Sequence, residues 1–529
     1  MKIALLQFNP RIGDLEGNTQ AILRFAQEAK KQQVSLLITP AFALSGYHPK
    51  DLLLRNDFFE AMQRQIKILL QMRGITLLVG YPTQINNQLF NAATIIQDGR
   101  IIAQYHQMLL SEYPRALAYF TSGSQKVVWE HVGCKIGIAI NQDIFSEEHA
   151  KQIMDGVDCL VALQAIPFCV GQYAKHSESI ARCAKHFQTP ILCSNLVGGQ
   201  DEWVFDGGSF AVNRDGACVA RAPFYEESLL VLDIQNNCFV PQQVLPIPNR
   251  LAHIYQALVL SVQDYVYKNH FPSVLLGLSG GIDSALTLAI ATDSLGSDKV
   301  NTIMMPSCYT SAMSINSAKK MVDDLKVTHH TIDIWPIYQQ IAASLKVLFA
   351  NQPEDVTEEN IQARIRGMLL MAISNKKHCL VLATGNKSEL ATGYCTLYGD
   401  MVGGFAVLKD VSKSLVYELA KWRNASKAII PLEIIQRPPS AELRPNQTDQ
   451  DHLPPYDVLD AIITEYVENH TAVAAIIAKG YKSADVHRVI DLLVHSEYKR
   501  QQGPIGPCIT RCSFGSNWHY PMTHHFVSS

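Results

Sequence analysis

The chain is 529 residues long, 47% apolar and 18% charged, with a net charge of -3. That balance excludes a disordered or collagen-like chain, and the length calls for three or four units, or for two large α/β domains. The near-neutral charge offers no general attraction to nucleic acid or anionic lipid, so an anionic ligand needs a local site.

The N-terminus runs straight into strand-like sequence with no long apolar stretch, which predicts no secretory signal. Residues 2–8 and 35–40 read as buried strands. Between them, NTQAILRFAQEAKKQ puts Ile22, Leu23, Phe25, Ala26 and Ala29 largely on one helical face, with Asn18 as N-cap. Residues 75–81 form another strand. Asp98-Gly99 and Asp215-Gly216, each between apolar runs, read as hairpin turns. Residues 135–140, 159–162 and 191–194 add strands, giving a mixed β structure covered by helices. Residues 159–174 carry no charge but are too short to span a bilayer. The 12 cysteines include no C-x-x-C pair and read as scattered thiols in a reducing cytoplasm.

Three prolines within 236–249 suit a linker and place a boundary near residue 245. After it come a helix over 250–270, a strand over 273–278, a helix over 285–295 ending before Gly296, a strand over 300–305 and a helix from about 314. This order opens a doubly wound parallel sheet. No internal repeat interrupts it.

The strongest local signal is LLGLSGGIDSALTLA. A buried strand stops at Leu278, Ser279 to Ser284 turn, and a helix begins. Adjacent Gly280 and Gly281 let the backbone approach phosphate oxygens, the hydroxyls of Ser279 and Ser284 add donors, and the helix start adds partial positive charge. Asp283 would repel phosphate unless Mg²⁺ sits between them, so it implies a metal. There is no G-K-[ST] and no G-x-G-x-x-G. The string resembles the pyrophosphate loop of the ATP pyrophosphatase group, in which ATP is cut between its α and β phosphates.

Three later stretches hold polar residues that packing alone does not require. Residues 380–383 form a short strand followed by Thr384-Gly385-Asn386-Lys387-Ser388-Glu389, a second strand-to-helix turn with a hydroxyl, a cation and an acid. GYCTLYGDMVGGFAVLKDVSK carries Asp400, Lys409 and Lys413. PPSAELRPNQTDQDHLPPYDVLD carries Ser440 directly after Pro439. Singly, each suits a solvated loop; together they read as the walls of one site.

From here the chain resembles the long, two-domain kind of NAD synthetase. The matching strings are GLSGGIDSAL, MMPS, TEENIQARIRG, LMAISNK, TGNKSELATGY, TLYGDM, PPSAELRP, LPPYDVLD and EYKRQQ, in order over 277–502. The resemblance implies an α/β fold: an N-terminal nitrilase-like α-β-β-α sandwich over 1–245 and a doubly wound, parallel-sheet ATP pyrophosphatase domain over 246–529. It implies ATP-dependent amidation of deamido-NAD in two steps, adenylation of the nicotinate carboxylate and then displacement of AMP by ammonia. Adenylation suits the chemistry, since a carboxylate is a poor electrophile until it carries a good leaving group. By the resemblance, Gly277, Ser279, Gly280, Gly281, Asp283, Ser284, Thr384, Lys413 and Ser440 contact ATP. Asn360, Arg364, Glu389 and Lys499 face deamido-NAD, and Asp283 and Glu389 hold Mg²⁺. Outside that context, Arg364 and Lys499 read as surface cations on helices.

The first half resembles the glutaminase domain of this family in ALLQFNPRIGDLEGN, ALSGYHPKDLLLR and VGGQDEWVFDGGSF. Such a domain needs a Cys nucleophile, a Glu base and a Lys. The P-E-L-x-L-[ST]-G-Y context of the base is here Pro40-Ala41-Phe42-Ala43-Leu44-Ser45-Gly46-Tyr47. The Y-R-K of the lysine is Tyr105-His106-Gln107, with no Lys from 101 to 125. The I-C-E-D of the nucleophile is Ile140-Asn141-Gln142-Asp143. Cys134 lies at the wrong end of the strand to stand in. Ala41, Gln107 and Asn141 thus occupy the three positions, and the expectation is an NAD synthetase fed by free ammonia.

The C-terminus also departs from the family's arginine-rich F-G-x-x-R-R-Y-P, reading Phe514-Gly515-Ser516-Asn517-Trp518-His519-Tyr520-Pro521. The alternatives are a glutamine-dependent NAD synthetase with an unrecognised or external glutaminase, a non-catalytic regulatory homologue, another ATP pyrophosphatase that forms GMP or modifies tRNA, and a carbon–nitrogen hydrolase fused to a nucleotide domain. The expected setting is cytoplasmic, as a homo-oligomer, with no nucleic acid or membrane partner.

Overall fold

The computed structural model describes residues 1–110, 119–350, 352–524 and 526; part of the lysine-free 101–125 stretch lies outside them. The chain divides into two compact units, Met1–Arg250 and Leu251–Ser529. No helix among the described residues is long and apolar enough to cross a membrane.

The first unit contains strands β1 (Lys2–Gln7), β2 (Leu36–Ile38), β3 (Thr76–Ile85), β4 (Gln88–Gln97), β5 (Arg100–His106), β6 (Val128–His131), β7 (Cys134–Ile140), β8 (Cys159–Leu163), β9 (Ile191–Ser194), β10 (Val197–Gln200), β11 (Trp203–Asp206), β12 (Phe210–Val212), β13 (Cys218–Arg221), β14 (Ser228–Gln235) and β15 (Cys238–Phe239). Seven strands form one sheet in the order β15-β14-β1-β2-β3-β4-β5, and six form a second in the order β13-β12-β9-β8-β7-β6. The centres of both sheets are parallel. Their strands are therefore nearly unbroken apolar runs, as burial on both faces demands. One apolar core joins the two sheets. Helices α1 (Leu15–Lys31) and α2 (Asn56–Leu69) pack together beside the first sheet, and α3 (Glu147–Met154) and α4 (Gln172–Phe187) cover the second. This is the α-β-β-α sandwich.

Both hairpin turns form where the sequence placed them, β4–β5 at Asp98-Gly99 and β12–β13 at Asp215-Gly216. The N-cap of α1 is Asp14, whose carboxylate accepts from Gly17 N, and not Asn18. Asn18 lies one turn inside and is buried, where its amide donates to Arg11 O and Leu44 O. The 236–249 segment is more than a linker. It carries β15, and Val244 bridges to Arg221, so the first unit extends past it.

The second unit opens with α5 (Arg250–Lys268) and continues through β16 (Val274–Gly277), α6 (Ile282–Leu295), β17 (Val300–Met304), α7 (Ala312–Leu325), β18 (Thr328–Thr331), α8 (Trp335–Leu345), α9 (Val356–Lys377), β19 (Leu380–Ala383), α10 (Lys387–Thr392), β20 (Phe405–Ala406) and α11 (Lys413–Ser426). Its five strands are all parallel, in the order β18-β17-β16-β19-β20. The chain winds outward from β16 to β18 and then crosses back to β19. That reversal puts a crevice beyond the carboxyl ends of β16 and β19, where open α/β sheets bind ligands.

The remaining helices build a separate apolar cluster that includes Leu459, Ile476, Val489 and Leu493. Phe514 and Trp518, from the 514–521 segment, are buried in it. The Arg500 guanidinium lies 5.0 Å from the Phe514 ring centre and 5.7 Å from that of Trp518, a cation–π arrangement. That C-terminal segment therefore packs as core.

Candidate active site

The two turns at the reversal build the site. After β16 the chain passes through Ser279-Gly280-Gly281 into α6. Gly280 has φ +80°, and a Cβ there would meet Ser314 O at 2.4 Å, so the turn lies directly on the first turn of α7. The Ser279 and Ser284 hydroxyls are 3.0 Å apart, and Gly281 N donates to Ser279 Oγ at 3.2 Å. The helix begins at Ile282, earlier than the sequence suggested. Gly281, extended and without a side chain, serves as N-cap, so Asp283 and Ser284 stand in the first helical turn.

After β19, Asn386 caps α10. Its side chain accepts from Glu389 N, and Glu389 accepts from Asn386 N in return. The buried Asn386 amide also donates to Asp283 Oδ1 at 2.9 Å, which links the two turns. Lys413, the first residue of α11, places its ammonium 2.5 Å from Asp283 Oδ2 and 3.2 Å from Glu389 Oε1. Burial raises the Glu389 carboxyl, opposed by the Lys413 charge. The Asp283 and Glu389 carboxylates hold the ammonium well above the usual lysine range, although burial opposes them.

These groups face a cavity of about 270 Å³. Of the residues expected at ATP, Gly277, Ser279, Gly281, Asp283, Ser284, Thr384, Lys413 and Ser440 line it, and Glu389 joins them. Gly280 does not; it packs on α7. The Ser440 hydroxyl donates to Gln447 O at 2.5 Å. Asp400 also lines the cavity, and its carboxylate accepts from Thr396 N.

Asn360, Arg364 and Lys499 do not line the cavity; they gather around the neighbouring 393–397 loop. Asn360 Oδ1 accepts from Thr396 Oγ1 at 2.7 Å. Arg364 Nε donates to Leu397 O at 3.3 Å. Lys499 Nζ donates to Gly393 O and Cys395 O at 2.7 and 2.8 Å. The cation of the second turn, Lys387, points away from the cavity. It is buried with Asp410 at 2.9 Å and Glu468 at 2.8 Å. Lys409 donates to Pro504 O and also misses the cavity.

The cavity contains residues that the sequence reading did not select: Arg366, Arg437, Glu442 and Asp449. Arg437 Nη1 lies 3.1 Å from Glu442 Oε1 and donates to Ser314 Oγ at 2.7 Å. Asp449 accepts from the Tyr456 hydroxyl at 2.7 Å, and burial raises its carboxyl. The nearest sequence signal was density of charge beside motifs already noted, as in IQARIRG and RPPSAEL.

In the first unit Ala41, Gln107 and Asn141 are all buried. Asn91 Nδ2 donates to Gln107 Oε1 at 2.7 Å, and Gln107 Nε2 donates to Leu109 O at 2.8 Å. A longer contact, 3.4 Å, joins Gln107 Nε2 to Gln142 Oε1. Asn141 Oδ1 accepts from Ala165 N at 2.8 Å. Next to them Asp143 is held by Tyr105 OH, Met108 N, Leu109 N and Ile140 N.

Residues 2–238 match the carbon-nitrogen hydrolase family and residues 254–503 the NAD synthase family. The "Glutamine-dependent NAD(+) synthetase" of Acinetobacter baylyi is 44% identical over 99% of this chain and 98% of its own length. That of Synechocystis is 41% identical over 99% of both chains. The solved glutamine-dependent NAD+ synthetase of Acinetobacter baumannii, in complex with ADP, superposes with a TM-score of 0.82 at 41% identity, covering 100% of this chain and 99% of that one.

Proposed function

Because the chain belongs to the glutamine-dependent NAD(+) synthetase family, we propose that it amidates deamido-NAD to NAD at the second-unit cavity, with free ammonia as the nitrogen donor. ATP is the co-substrate. The observation that carries the reading is the convergence of the turn after β16, the turn after β19 and Lys413 on one crevice at the sheet's reversal point.

In this reading the 279–284 turn takes the departing pyrophosphate on its hydroxyls and on the start of α6. The Lys413 ammonium then trades part of its contact with the two carboxylates for phosphate oxygens. Asp283 and Glu389 supply hard oxygen ligands converging on one cationic position, a donor set that suits Mg²⁺, which commonly takes one or two carboxylates plus substrate phosphates. Such an ion supplies charge neutralisation for the triphosphate. Asn386 orients Asp283 through the 2.9 Å bond. Asn360, Arg364 and Lys499 fix the 393–397 loop; in this reading it is the wall that deamido-NAD meets.

The choice of ammonia rests on the first unit. Hydrolysing glutamine needs a nucleophile, a base and a cation. Ala41 offers no group, and Asn141 and Gln107 are neutral amides engaged in buried hydrogen bonds. The test is a side-by-side assay of NAD formation with ammonium and with glutamine freed of ammonia. Turnover on ammonium alone is expected; turnover on purified glutamine at a comparable rate would remove the ammonia reading.

A further inference from the structure

We propose that Arg366 is a further catalytic residue, its guanidinium binding the ATP phosphoryl group that is transferred to form the adenylate. This deepens the reading of the second-unit cavity as an ATP site and rests on it.

Three observations lead there. The first is position. Within the parallel pair β16–β17, Gly277 stands opposite Ile303. Two residues further along each strand path lie Ser279, where the phosphate turn starts, and Met305. Arg366 Nε donates to Met305 O at 3.0 Å. The guanidinium is thereby tethered to the end of the strand beside the one that leads into the 279–284 turn; neighbouring strands lie about 5 Å apart.

The second is rigidity. Helix α9 presents Ala363, Arg366 and Leu370 to the cavity, the three- and four-residue spacing of one helical face. A Cβ on Gly367 would meet Tyr398 O at 2.7 Å, so α9 is pressed against the 398–399 backbone right beside Arg366. The side chain is thus carried on a fixed element rather than on a loop.

The third is charge. Two other cations line the cavity, and both are paired: Lys413 with Asp283 and Glu389, Arg437 with Glu442. Among the described residues no carboxylate lies within ion-pairing distance of Arg366. Burial pushes its guanidinium down to about 10, against a smaller opposing pull from Glu442 and Asp400. A desolvated guanidinium without a counter-ion, aimed into a cavity, calls for an anion; its planar fork matches two phosphoryl oxygens.

The step it serves is balanced as follows. A carboxylate oxygen of deamido-NAD forms a bond to the α-phosphorus. The bond from that phosphorus to the bridging oxygen breaks, and its electron pair leaves with pyrophosphate. No proton moves. Negative charge shifts across the equatorial oxygens of the α-phosphoryl group, where a fixed guanidinium stabilises the transition state.

The test is deamido-NAD-dependent exchange of labelled pyrophosphate into ATP, which reports adenylation without amidation, on the full chain and its Arg366→Gln and Arg366→Lys variants. Calorimetry with α,β-methylene-ATP reports ground-state binding. Arg366→Gln is expected to lose at least about a hundredfold in exchange, with a much smaller change in analogue affinity. Arg366→Lys keeps the charge but not the fork, and is expected to fall by about tenfold with an unchanged melting temperature. Exchange within about threefold of the unsubstituted chain in either folded variant overturns the assignment, as does a loss of analogue affinity that accounts for the whole loss of exchange. An unsubstituted chain with no exchange at all would instead sink the reading of the cavity itself.

Discussion

The Lys413 ammonium lies 2.5 Å from the Asp283 carboxylate, although 130 positions separate the two residues. The pair joins the first turn of α11 to the first turn of α6. It ties the 279–284 turn to the start of α11.

Replacing Lys413 by Met leaves Asp283 and Glu389 facing each other without their cation. Removing one member of a buried ion pair costs about 3 kcal/mol or more. Loss of a positioned charge at a phosphoryl site costs at least about a hundredfold in rate. Lys413→Met should therefore unfold at lower denaturant concentration and nearly abolish pyrophosphate release. A stable, active variant would contradict the placement of this lysine in the site.

Gly280→Ala should be damaging for two separable reasons. The added Cβ would meet the Ser314 backbone at 2.4 Å, and φ of +80° is strained for any residue with a side chain. The turn would have to lift from α7. Calorimetric titration with ATP should show binding weakened by about tenfold or more, equivalent to 1.4 kcal/mol.

Asn141→Cys alone should not give a glutaminase. The new thiol would still lack a base at Ala41 and a cation at Gln107. It would also give up the hydrogen bond from Ala165 N to Asn141 Oδ1, a loss of about 1–3 kcal/mol for a buried donor. The expected result is a lower melting temperature and no glutamate released from glutamine, read by a coupled glutamate assay.

His176 predicts how stability depends on pH. Burial lowers its imidazolium to about 4, and its Nε2 sits 3.2 Å from Gln164 Nε2. Between about 4 and the unfolded value of about 6.5, the unfolded chain binds a proton that the folded chain does not. This contribution is complete above 6.5 and is lost as pH falls toward 4, with a slope of at most about 1.4 kcal/mol per pH unit. His176→Gln should flatten that part of the curve of melting temperature against pH.

Much of this was legible in the sequence because local composition decided it. The turn after β16 needs small residues and hydroxyls in a fixed order, and the alternation of apolar runs marks the three large sheets. Direction of side chains was not legible. Lys387 and Lys413 both occupy the first position of a helix, yet Asp410 and Glu468 draw the first away while Asp283 and Glu389 hold the second in the cavity. Arg364 and Arg366 are two residues apart on α9 and so point to different faces. The 514–521 segment read only as lacking arginines; that Phe514 and Trp518 pack against Arg500 depends on contacts no local pattern encodes.

The bond from Asn91 to Gln107 also sets what a charged side chain at position 107 would meet. Its two carboxamides are buried, and the carboxylate beside them, on Asp143, is already held by Tyr105 OH, Met108 N, Leu109 N and Ile140 N. A lysine at 107 would give up the bonds to Asn91 and to Leu109 O, and a glutamate at 41 would sit fully enclosed; a buried charge left without a partner costs several kcal/mol. Either change alone would thus cost stability without supplying the thiol that amide hydrolysis also needs.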